Sequence, residues 1–233
     1  MKTALITGAS GGIGRACVAR FLEAGFRIAA VSRDVTSLGA FDERVTAIEA
    51  DLGAEAGRAA LVKHAPERLA ALVHVAGVNP REPLEAMREP TLRQAFEVNF
   101  FAPMLLTQAL APRLEPGGAV VFVSSTLAQR AAPAALAYAA SKAAIEGAMR
   151  VLSIELGARG VRALAVSPGL IDTEMMREGR SEEELRALAA LSPLGRVGDA
   201  AEVAQMIFAA ATNGFTTGAV IPVDGGMTAG FSR

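Results

Sequence analysis

MKTALITGASGGIGRACVARFLEAG occupies residues 1–25 and is the stretch of sequence that decides the fold. It begins with a short apolar strand pattern from Ala4 to Thr7, continues with clustered glycines, and ends with apolar residues at helical spacing. A strand, a tight turn and a helix in this order predict the first unit of a parallel α/β sheet, because such sheets are built from repeated strand–helix units.

Three glycines in this turn, Gly8, Gly12 and Gly14, have the spacing G-x-x-x-G-x-G, a variant of the G-x-G-x-x-G fingerprint. Glycine lets the backbone turn sharply and approach a ligand closely, and the following helix N-terminus offers unpaired N–H groups to it. The stretch therefore predicts a site for the pyrophosphate of a dinucleotide. Ordinary turns also use glycines, so on these residues alone a plain turn stays an alternative.

The remainder of the chain repeats the strand and helix pattern. With the first strand at 4–7, strands are predicted at 27–32, 45–50, 71–75, 119–124, 161–167 and 219–223, and helices near 55–64, 91–114, 133–158 and 200–211. Strands that are apolar throughout and alternate with helices indicate a sheet covered on both faces. We therefore expect one Rossmann-type α/β domain over residues 1–233, a doubly wound parallel sheet of seven strands with a stunted second helix within 34–44.

Composition and charge argue against several classes of protein. The 23 basic and 24 acidic side chains give a formal net charge of −1 without a basic stripe, so no nucleic-acid partner is expected. The chain has neither a run of about 20 apolar residues nor a charged leader before an apolar stretch, so we expect no membrane insertion or secretion. The single cysteine, Cys17, excludes an internal disulfide and fits a reducing compartment such as the cytoplasm. No metal site is predicted.

Tyr138 and Lys142 stand four residues apart in LAYAASKAAIEG, and Ser125 lies thirteen residues upstream of the tyrosine, at the end of the apolar run AVVFVSS. On a helix, a spacing of four places two side chains on one face, so the Lys142 ammonium would lie beside the phenol. A nearby cation lowers the pKa of a phenol, and a serine hydroxyl can donate to an oxygen on which charge develops. The three residues predict acid/base chemistry at a carbonyl carbon, with a surface Tyr–Lys pair as the alternative interpretation.

Together, TGASGGIG, Ser125, Tyr138 with Lys142, and SPGLIDT at 167–173 resemble the short-chain dehydrogenase/reductase family. The resemblance covers essentially the whole chain and follows the family's order and spacing of motifs. The ending PLGRVGDAAEVAQMIF…TTGAVIPVDGGM is most similar to bacterial 3-oxoacyl-acyl-carrier-protein reductases and their relatives. The resemblance implies an NADPH-dependent carbonyl reductase, with a 3-oxoacyl thioester, carried on acyl carrier protein, as the expected substrate.

The resemblance also implies roles for individual residues. Tyr138 would protonate the substrate oxygen, Ser125 would orient that oxygen, and Lys142 would lower the tyrosine pKa and hold the nicotinamide ribose. Asn99, in EVNFFAP, would hold a water through its backbone carbonyl and extend a proton relay from Lys142 to solvent. Besides Tyr138 and Lys142, the residues expected to contact the cofactor are Gly8, Ser10, Gly11, Gly12, Ile13, Gly14, Ser32, Arg33, Asp51, Leu52, Ala76, Gly77, Pro168, Gly169, Ile171 and Thr173.

The choice of cofactor depends on the end of the second strand. An acidic residue there usually binds the ribose hydroxyls of NAD, whereas an arginine accommodates the 2′-phosphate of NADP. Ser32 falls at the usual position of the acid and Arg33 follows it, which favours NADP. Asp34 is adjacent, and Gly11 stands where many NADP-dependent relatives have a basic residue, so NAD stays open as the second choice.

One departure from the family lies after the fourth predicted strand. His74-Val75-Ala76-Gly77 replaces the usual Asn-Asn-Ala-Gly, whose amide side chains tie that strand to its neighbours. We interpret His74 as a hydrogen-bonded residue of the sheet rather than a catalytic residue.

The segment 174–192 is charged and helical, and the resemblance implies that it covers the substrate. SEEELRALAALS predicts Ser181 as an N-cap with Glu184 completing a capping box. These residues do not fix the substrate, so an NAD(P)-dependent alcohol or sugar-alcohol dehydrogenase is the alternative function. A non-catalytic nucleotide-sensing protein is more remote, since such proteins usually lack the tyrosine or the lysine.

Two predicted helical stretches, 96–110 and 134–156, carry more apolar surface than one sheet face can cover. Small residues let helices pack closely across a two-fold axis. In the family these two helices form such an interface, and the tail around 223–226 helps to build a second one. The resemblance therefore implies a homotetramer, with a dimer as the second choice.

Overall fold

The structure is a computed structural model that describes residues 1–38 and 42–230. Its strands form one parallel sheet in the order β3-β2-β1-β4-β5-β6-β7. The strands are β1 (Thr3–Thr7), β2 (Arg27–Ser32), β3 (Val45–Glu49), β4 (Leu69–His74), β5 (Leu114–Val123), β6 (Arg162–Pro168) and β7 (Val220–Val223). This confirms the predicted α/β architecture, with strand ends that differ from the predicted ones by up to five residues.

Helices cover both faces of the sheet. They are α1 (Gly12–Glu23), α2 (Glu55–His64), α3 (Glu89–Phe96), α4 (Ala102–Leu110), α5 (Leu136–Gly157), α6 (Glu174–Arg177), α7 (Glu182–Ala189) and α8 (Ala200–Thr212). Alternate residues of β1 enter opposite cores: Leu5 packs with α2, α4 and α5, while Ala4 and Ile6 pack with α1 and α8. This alternation follows from the two-residue period of a strand and explains why the central strands β1, β4 and β6 are buried on both sides.

The predicted helix at 91–114 is interrupted. A π-helical turn over Glu97–Phe101 separates α3 from α4, and a 3₁₀ turn over Ala111–Arg113 ends the segment before β5 begins at Leu114. Sequence periodicity does not reveal a π turn, because the apolar pattern continues through it. Such turns occur mostly at functional sites, and this one contains Asn99.

The stunted second helix predicted within 34–44 is a 3₁₀ turn over Thr36–Leu38, and the remainder of that stretch includes residues outside the described part of the chain. In the segment 174–192, Ser181 caps α7 and Glu184 completes the capping box, which confirms that prediction. None of the helices in the described part of the chain combines the length and hydropathy needed to span a bilayer.

The strand order reverses between β1 and β4, and the backbones that leave these two strands meet closely. Gly8 has a φ of +66°, and a Cβ on it would lie 2.7 Å from the Cα of Ala76. The hydroxyl oxygen of Thr7 accepts hydrogen bonds from the backbone N–H groups of Val75 and Ala76 at 3.2 and 3.3 Å. Ligands bind at such a reversal point in open α/β sheets.

At the opposite end of the sheet, Arg162 begins β6 with a buried guanidinium. It donates hydrogen bonds of 2.7 Å to the backbone carbonyls of Ala210 and Ala211 in the last turn of α8. A third, longer hydrogen bond of 3.4 Å reaches the carbonyl of Gly117. The cation thereby satisfies carbonyls at the negative end of the helix dipole.

Candidate active site

A cleft of about 1380 Å³ lies at the carboxyl ends of the strands, where β1 and β4 diverge. It runs from the end of β2, over the glycine turn, to the segment after β4. Thirteen of the residues predicted to contact the cofactor line it: Gly8, Ser10, Gly11, Gly12, Ile13, Gly14, Ser32, Arg33, Asp51, Leu52, Ala76, Gly77 and Thr173. Its size and its position at the strand reversal fit a dinucleotide.

The glycine turn leaves no room for side chains at two of its positions. A Cβ on Gly14 would lie 2.0 Å from the backbone oxygen of Gly8, so α1 can begin directly against the turn only with glycine there. A Cβ on Gly12 would lie 2.9 Å from the Cγ2 of Thr173. The N-terminus of α1 therefore faces the cleft without obstruction, as a bound pyrophosphate requires.

At the end of β2, Ser32 and Asp34 are engaged within the protein. The Ser32 hydroxyl donates to the Ser10 hydroxyl oxygen at 2.8 Å. The Asp34 carboxylate accepts from the side chain and backbone of Thr36 at 2.6 and 2.8 Å, and these hydrogen bonds lower the pKa of Asp34. Arg33 is exposed and lines the cleft, whereas Asp34 does not.

The inner end of the cleft reaches the predicted catalytic residues through Gly77. A Cβ on Gly77 would lie 3.1 Å from Oδ1 of Asn99 and 3.4 Å from Nζ of Lys142. Gly77 lines the cleft, whereas Asn99 and Lys142 are buried directly behind it. Glycine at this position puts no side chain between the cleft and these two polar atoms, which are hydrogen-bonded to Val78 and Val123.

Asn99 is held in the π turn by its side-chain amide. Its Oδ1 accepts from the backbone N–H of Val78, and its Nδ2 donates to the Val78 carbonyl and to the Ser141 hydroxyl oxygen, each at 2.9 Å. Ser141 in turn donates to the backbone carbonyl of Tyr138 at 2.8 Å. The amide therefore connects the segment after β4 to the first turn of α5.

Tyr138 lies in that first turn of α5. Burial raises the pKa of its phenol above the usual value, while hydrogen bonding with Ser125 and the positive charge of Arg81 lower it. Ser125 is 7% exposed, and its Oγ also accepts from the backbone N–H of Leu127 at 3.2 Å. The structure thus brings Ser125 and Tyr138 together as predicted, and it keeps the phenol protonated at neutral pH.

Lys142 is placed differently from the sequence expectation. Its Nζ lies 5.7 Å from the centre of the Tyr138 ring but donates to the backbone carbonyl of Val123 at 2.7 Å. Burial lowers the pKa of the ammonium to about 8. In this structure burial, Ser125 and Arg81 act on the tyrosine pKa, and the ammonium of Lys142 serves to hold α5 against the end of β5.

Five residues predicted to contact the cofactor do not line the cleft: Tyr138 and Lys142 on α5, and Pro168, Gly169 and Ile171. Pro168 is buried at the end of β6, and Ile171 packs in the core beside α1 and α8. Gly169 approaches another backbone instead, since a Cβ there would lie 2.8 Å from the Cα of Asp224. In this segment only Thr173 reaches the cleft wall, because the chain turns into the core before it emerges.

His74 has the structural environment that was predicted for it. It is 5% exposed, its Nε2 lies 3.0 Å from the Thr107 hydroxyl oxygen, and its ring stacks on Phe122 with centroids 5.1 Å apart. Burial lowers its pKa to about 3, so the imidazole is neutral. Thr7, not an asparagine, supplies the bonds between β1 and the segment after β4.

Sequence reasoning missed several residues that shape the site. Arg81 influences the tyrosine from the loop after Gly77, and no local pattern in the sequence marks it. Glu146 is a buried carboxylate on α5, four residues after Lys142. Here the sequence did hold a signal, because an acidic residue on the buried face of an apolar helix is unusual.

A family profile described as enoyl-(acyl carrier protein) reductase matches residues 8–228. The chain belongs to the short-chain dehydrogenase/reductase family. Its glycine turn, its Ser125–Tyr138–Lys142 set and its sheet order agree with that assignment. As a member of the family it is an NAD(P)-dependent oxidoreductase that acts on CH–OH or C=O groups.

Curated relatives in the short-chain dehydrogenase/reductase family carry different names. Protein FixR of Bradyrhizobium diazoefficiens is 36% identical, covering 97% of this chain and 86% of its own length. The 3-oxoacyl-[acyl-carrier-protein] reductase FabG of Pseudomonas aeruginosa is 32% identical, with 97% of both chains covered. D-threitol dehydrogenase of Mycolicibacterium smegmatis is 33% identical, covering 97% of this chain and 93% of its own length.

Solved structures of the short-chain dehydrogenase/reductase family superpose closely. A family protein from Francisella tularensis has a TM-score of 0.92 at 25% identity, covering 99% of this chain and 100% of its own. A blue fluorescent protein from a metagenomic library, in complex with NADPH, has a TM-score of 0.87 at 33% identity, covering 97% and 98%. The fold is therefore shared over the full length, while the named activities of the relatives differ.

Proposed function

We propose that this short-chain dehydrogenase/reductase is an NADPH-dependent carbonyl reductase, with the whole chain acting as one domain. The observation that carries the proposal is the position of Gly77, which lines the cleft and lies against both Asn99 and Lys142. A dinucleotide held over the glycine turn would thus end beside the proposed catalytic residues. When bound, the reduced nicotinamide supplies a hydride for a carbonyl carbon.

In the proposed mechanism, Tyr138 donates its phenolic proton to the substrate oxygen. Burial keeps the phenol protonated, and Ser125 orients the oxygen by donating a hydrogen bond to it. Lys142 holds the nicotinamide ribose, and the positive charge of Arg81 favours the phenolate that is left after proton transfer. Asn99, fixed by its amide in the π turn, extends the proton path from Lys142 toward solvent.

The preference for NADPH over NADH rests on Arg33. Its exposed guanidinium on the cleft wall can bind a 2′-phosphate, whereas the Asp34 carboxylate is already engaged by Thr36. A ligand that binds only the folded protein raises its melting temperature according to concentration over Kd. We expect NADPH to raise the melting temperature more than NADH does at equal concentration. Arg33→Ala should reduce this difference in melting temperature between the two cofactors. Greater stabilisation by NADH would show that Asp34 turns to the ribose and that NAD is the cofactor.

For the substrate we propose a 3-oxoacyl thioester, with acyl carrier protein as its carrier. The likeness to FabG supports the 3-oxoacyl group, and the family profile, described as enoyl-(acyl carrier protein) reductase, supports acyl carrier protein as the carrier. The segment 174–192 adds exposed apolar side chains at Met175 and Leu191, and Leu194 follows it, so that an acyl chain could contact all three. The resemblance to D-threitol dehydrogenase favours a second candidate, an alcohol or sugar-alcohol dehydrogenase that works in the oxidative direction.

Steady-state rates on a panel of substrates separate the two candidates. The panel contains acetoacetyl-CoA and longer 3-oxoacyl thioesters, simple ketones, and secondary alcohols that include sugar alcohols. We expect the highest kcat/KM for a 3-oxoacyl thioester with NADPH. A sugar alcohol that is oxidised with higher kcat/KM than any thioester is reduced would replace the proposal by the second candidate.

The proposed assembly is a homotetramer. Phe101 and Leu105 around α4, with Val151 and Ile154 on α5, are apolar and exposed, and Ile154 is 78% exposed. These residues form the outer side of the two helices predicted to meet across a two-fold axis, where such a patch must be complementary to itself. Light scattering at micromolar concentration tests this, and a stable, active monomer would contradict it. The single cysteine keeps a reducing compartment such as the cytoplasm as the proposed location.

A further inference from the structure

Glu146 is a buried carboxylate in the middle of α5, one helical turn beyond Lys142. Its Oε1 accepts from the Ser124 hydroxyl at 2.8 Å, and its Oε2 accepts from Gln129 Nε2 at 3.4 Å. In the described part of the chain, the only cation within 4.0 Å of its carboxylate is Arg150, 3.8 Å away and 57% exposed. Burying a carboxylate with so little compensating charge costs free energy. A contribution to the stability of the fold therefore does not explain why Glu146 is buried.

Ser124, the closest partner of Glu146, lies between two parts of the proposed catalytic machinery. The residue before it, Val123, accepts the hydrogen bond from Lys142 Nζ at 2.7 Å. The residue after it is Ser125, which lowers the pKa of Tyr138. A hydrogen bond that fixes Ser124 therefore fixes the end of β5 relative to α5, and with it the relation of Ser125 to Tyr138.

Gln129 extends the same connection. It follows the 3₁₀ turn Thr126–Ala128, whose N-cap is Ser125. The carboxylate of Glu146 thus receives hydrogen bonds from side chains on both sides of Ser125 in the sequence. A carboxylate can accept several hydrogen bonds at once, which a neutral side chain of this size does less well.

We propose that Glu146 is a positioning residue, which holds Ser125 in register with Tyr138 through its hydrogen bond with Ser124. The inference rests on the roles proposed above for Ser125 and Tyr138. It does not depend on which carbonyl compound is the substrate.

The first test needs no substrate, because Tyr138 is the only tyrosine and the chain has no tryptophan. The ultraviolet absorbance of tyrosinate, read after rapid alkaline mixing, therefore reports the ionisation of this one phenol. Ser125→Ala should raise the titration midpoint, because it removes the hydrogen bond that lowers the Tyr138 pKa. Glu146→Ala should also raise the midpoint. The midpoint of the double variant, Ser125→Ala with Glu146→Ala, should be no higher than that of Ser125→Ala alone.

The direction in which the titration midpoint shifts distinguishes a positioning role of Glu146 from a direct effect of its charge. Two cations lie near the phenol: Arg81 from the loop after β4 acts on its pKa, and Lys142 Nζ on α5 lies 5.7 Å from the ring centre. If Glu146 acted only through its negative charge, its removal would favour the phenolate and lower the midpoint. Glu146→Gln keeps an acceptor for Ser124, so it should leave the midpoint near that of the parent protein.

The second test uses NADPH and acetoacetyl-CoA, or whichever carbonyl compound of the panel the parent protein reduces. Glu146→Ala should lower kcat by about 10- to 100-fold, since small misplacements of reacting groups have effects of this size. The KM for NADPH should change little, and Glu146→Gln should restore most of the rate. Glu155→Gln, an exposed acid on the same helix, is the matched control and should leave kcat unchanged.

Ser124→Ala replaces Glu146→Ala in both tests if the Glu146→Ala protein does not fold. It removes the same hydrogen bond, and it removes only one oxygen atom from the protein. It should reproduce both the raised midpoint and the lowered kcat. The inference is overturned if either alanine variant, when folded, keeps the parent midpoint, or if the effects of Glu146→Ala and Ser125→Ala add independently. A parent protein that reduces none of the panel would refute the proposed substrate class, while the titration would still decide the role of Glu146.

Discussion

The glycine turn after β1 and the loop that leads into α5 solve the same backbone problem in different ways. In the first, Gly8 has a φ of +66°, and glycine adopts this conformation without strain. In the second, Ala134 has a φ of +59°, and it is the one residue other than glycine with a positive φ in the described part of the chain. At the cofactor end of the site, a glycine adopts the positive φ without strain. At the catalytic end, an alanine has a positive φ, and the structure around it must hold it there.

Contacts around Ala134 show what holds the strained conformation. Its carbonyl accepts a hydrogen bond from the backbone N–H of Glu82 at 3.0 Å, and the next residue, Ala135, is 1% exposed. Tyr138 follows within one helical turn. Strain of this kind persists only where neighbouring structure fixes the chain, and it collects near functional sites. The cofactor end and the catalytic end of the site should therefore respond differently to substitution, in three ways that can be measured.

The largest effect is expected from Gly14→Ala in the glycine turn. The added methyl group would lie 2.0 Å from the backbone oxygen of Gly8, and neither backbone can move without opening the turn. We expect a loss of about 3 kcal/mol in the free energy of unfolding, or about 10 °C in Tm, together with weakened NADPH binding.

Gly11→Ala is the matched control for that prediction. A Cβ on Gly11 would meet only the Gly8 oxygen, at 3.6 Å, which is an ordinary contact. Its Tm should stay within about 2 °C of the parent protein. Equal losses for both variants in thermal unfolding would mean that crowding at Gly14 does not control the turn.

A second prediction separates the two ends by chemistry. Tyr138→Phe removes the proposed proton donor and very little volume, so kcat should fall by about 10²- to 10⁴-fold. Tm and the Kd for NADPH, measured by fluorescence titration, should stay close to those of the parent, because the glycine turn is untouched. A residual kcat within about threefold of the parent would refute the role of Tyr138.

The smallest effect should come from Ala134→Gly, and it should have the opposite sign to Gly14→Ala. Glycine relieves the positive φ at this position, and the gain exceeds the added chain entropy of the unfolded state. Thermal unfolding should show a stabilisation of up to about 1 kcal/mol, or about 3 °C.

Ala132→Gly, in the same loop, lacks a positive φ and serves as the control. It should destabilise slightly, because it only adds entropy to the unfolded chain. If Ala134→Gly also destabilises, the alanine methyl group makes contacts that outweigh the strain, and the contrast between the two loops fails.

Features that depend on local patterns could be predicted from the sequence, whereas features that depend on contacts between elements could not. The strands, the glycine turn, Arg33 on the cleft wall and the capping box at Ser181 depend on local patterns, and local patterns can be read from one sequence. The π turn around Asn99 could not be read, since its apolar spacing does not differ from that of an α-helix. The bond between Glu146 and Ser124 joins residues on different elements, so no periodicity reveals it.

Lys142 shows most clearly where local reasoning ends. Its spacing from Tyr138 correctly places both residues on one helix. The direction of its ammonium depends on the carbonyl of Val123, which belongs to another element, the strand β5, 19 residues earlier in the sequence. Spacing therefore predicts which residues lie near each other, and long-range contacts decide which atoms meet.

Arg162, at the end of the sheet away from the cleft, has a consequence for the way the protein opens. Its guanidinium holds the last turn of α8 and the Gly117 loop at once. Fraying of that helix end would leave a positive charge without acceptors inside the protein, which raises the free energy of partial opening. The backbone amides in the last turn of α8 should therefore exchange slowly with deuterium, as part of a cooperative unit with β6.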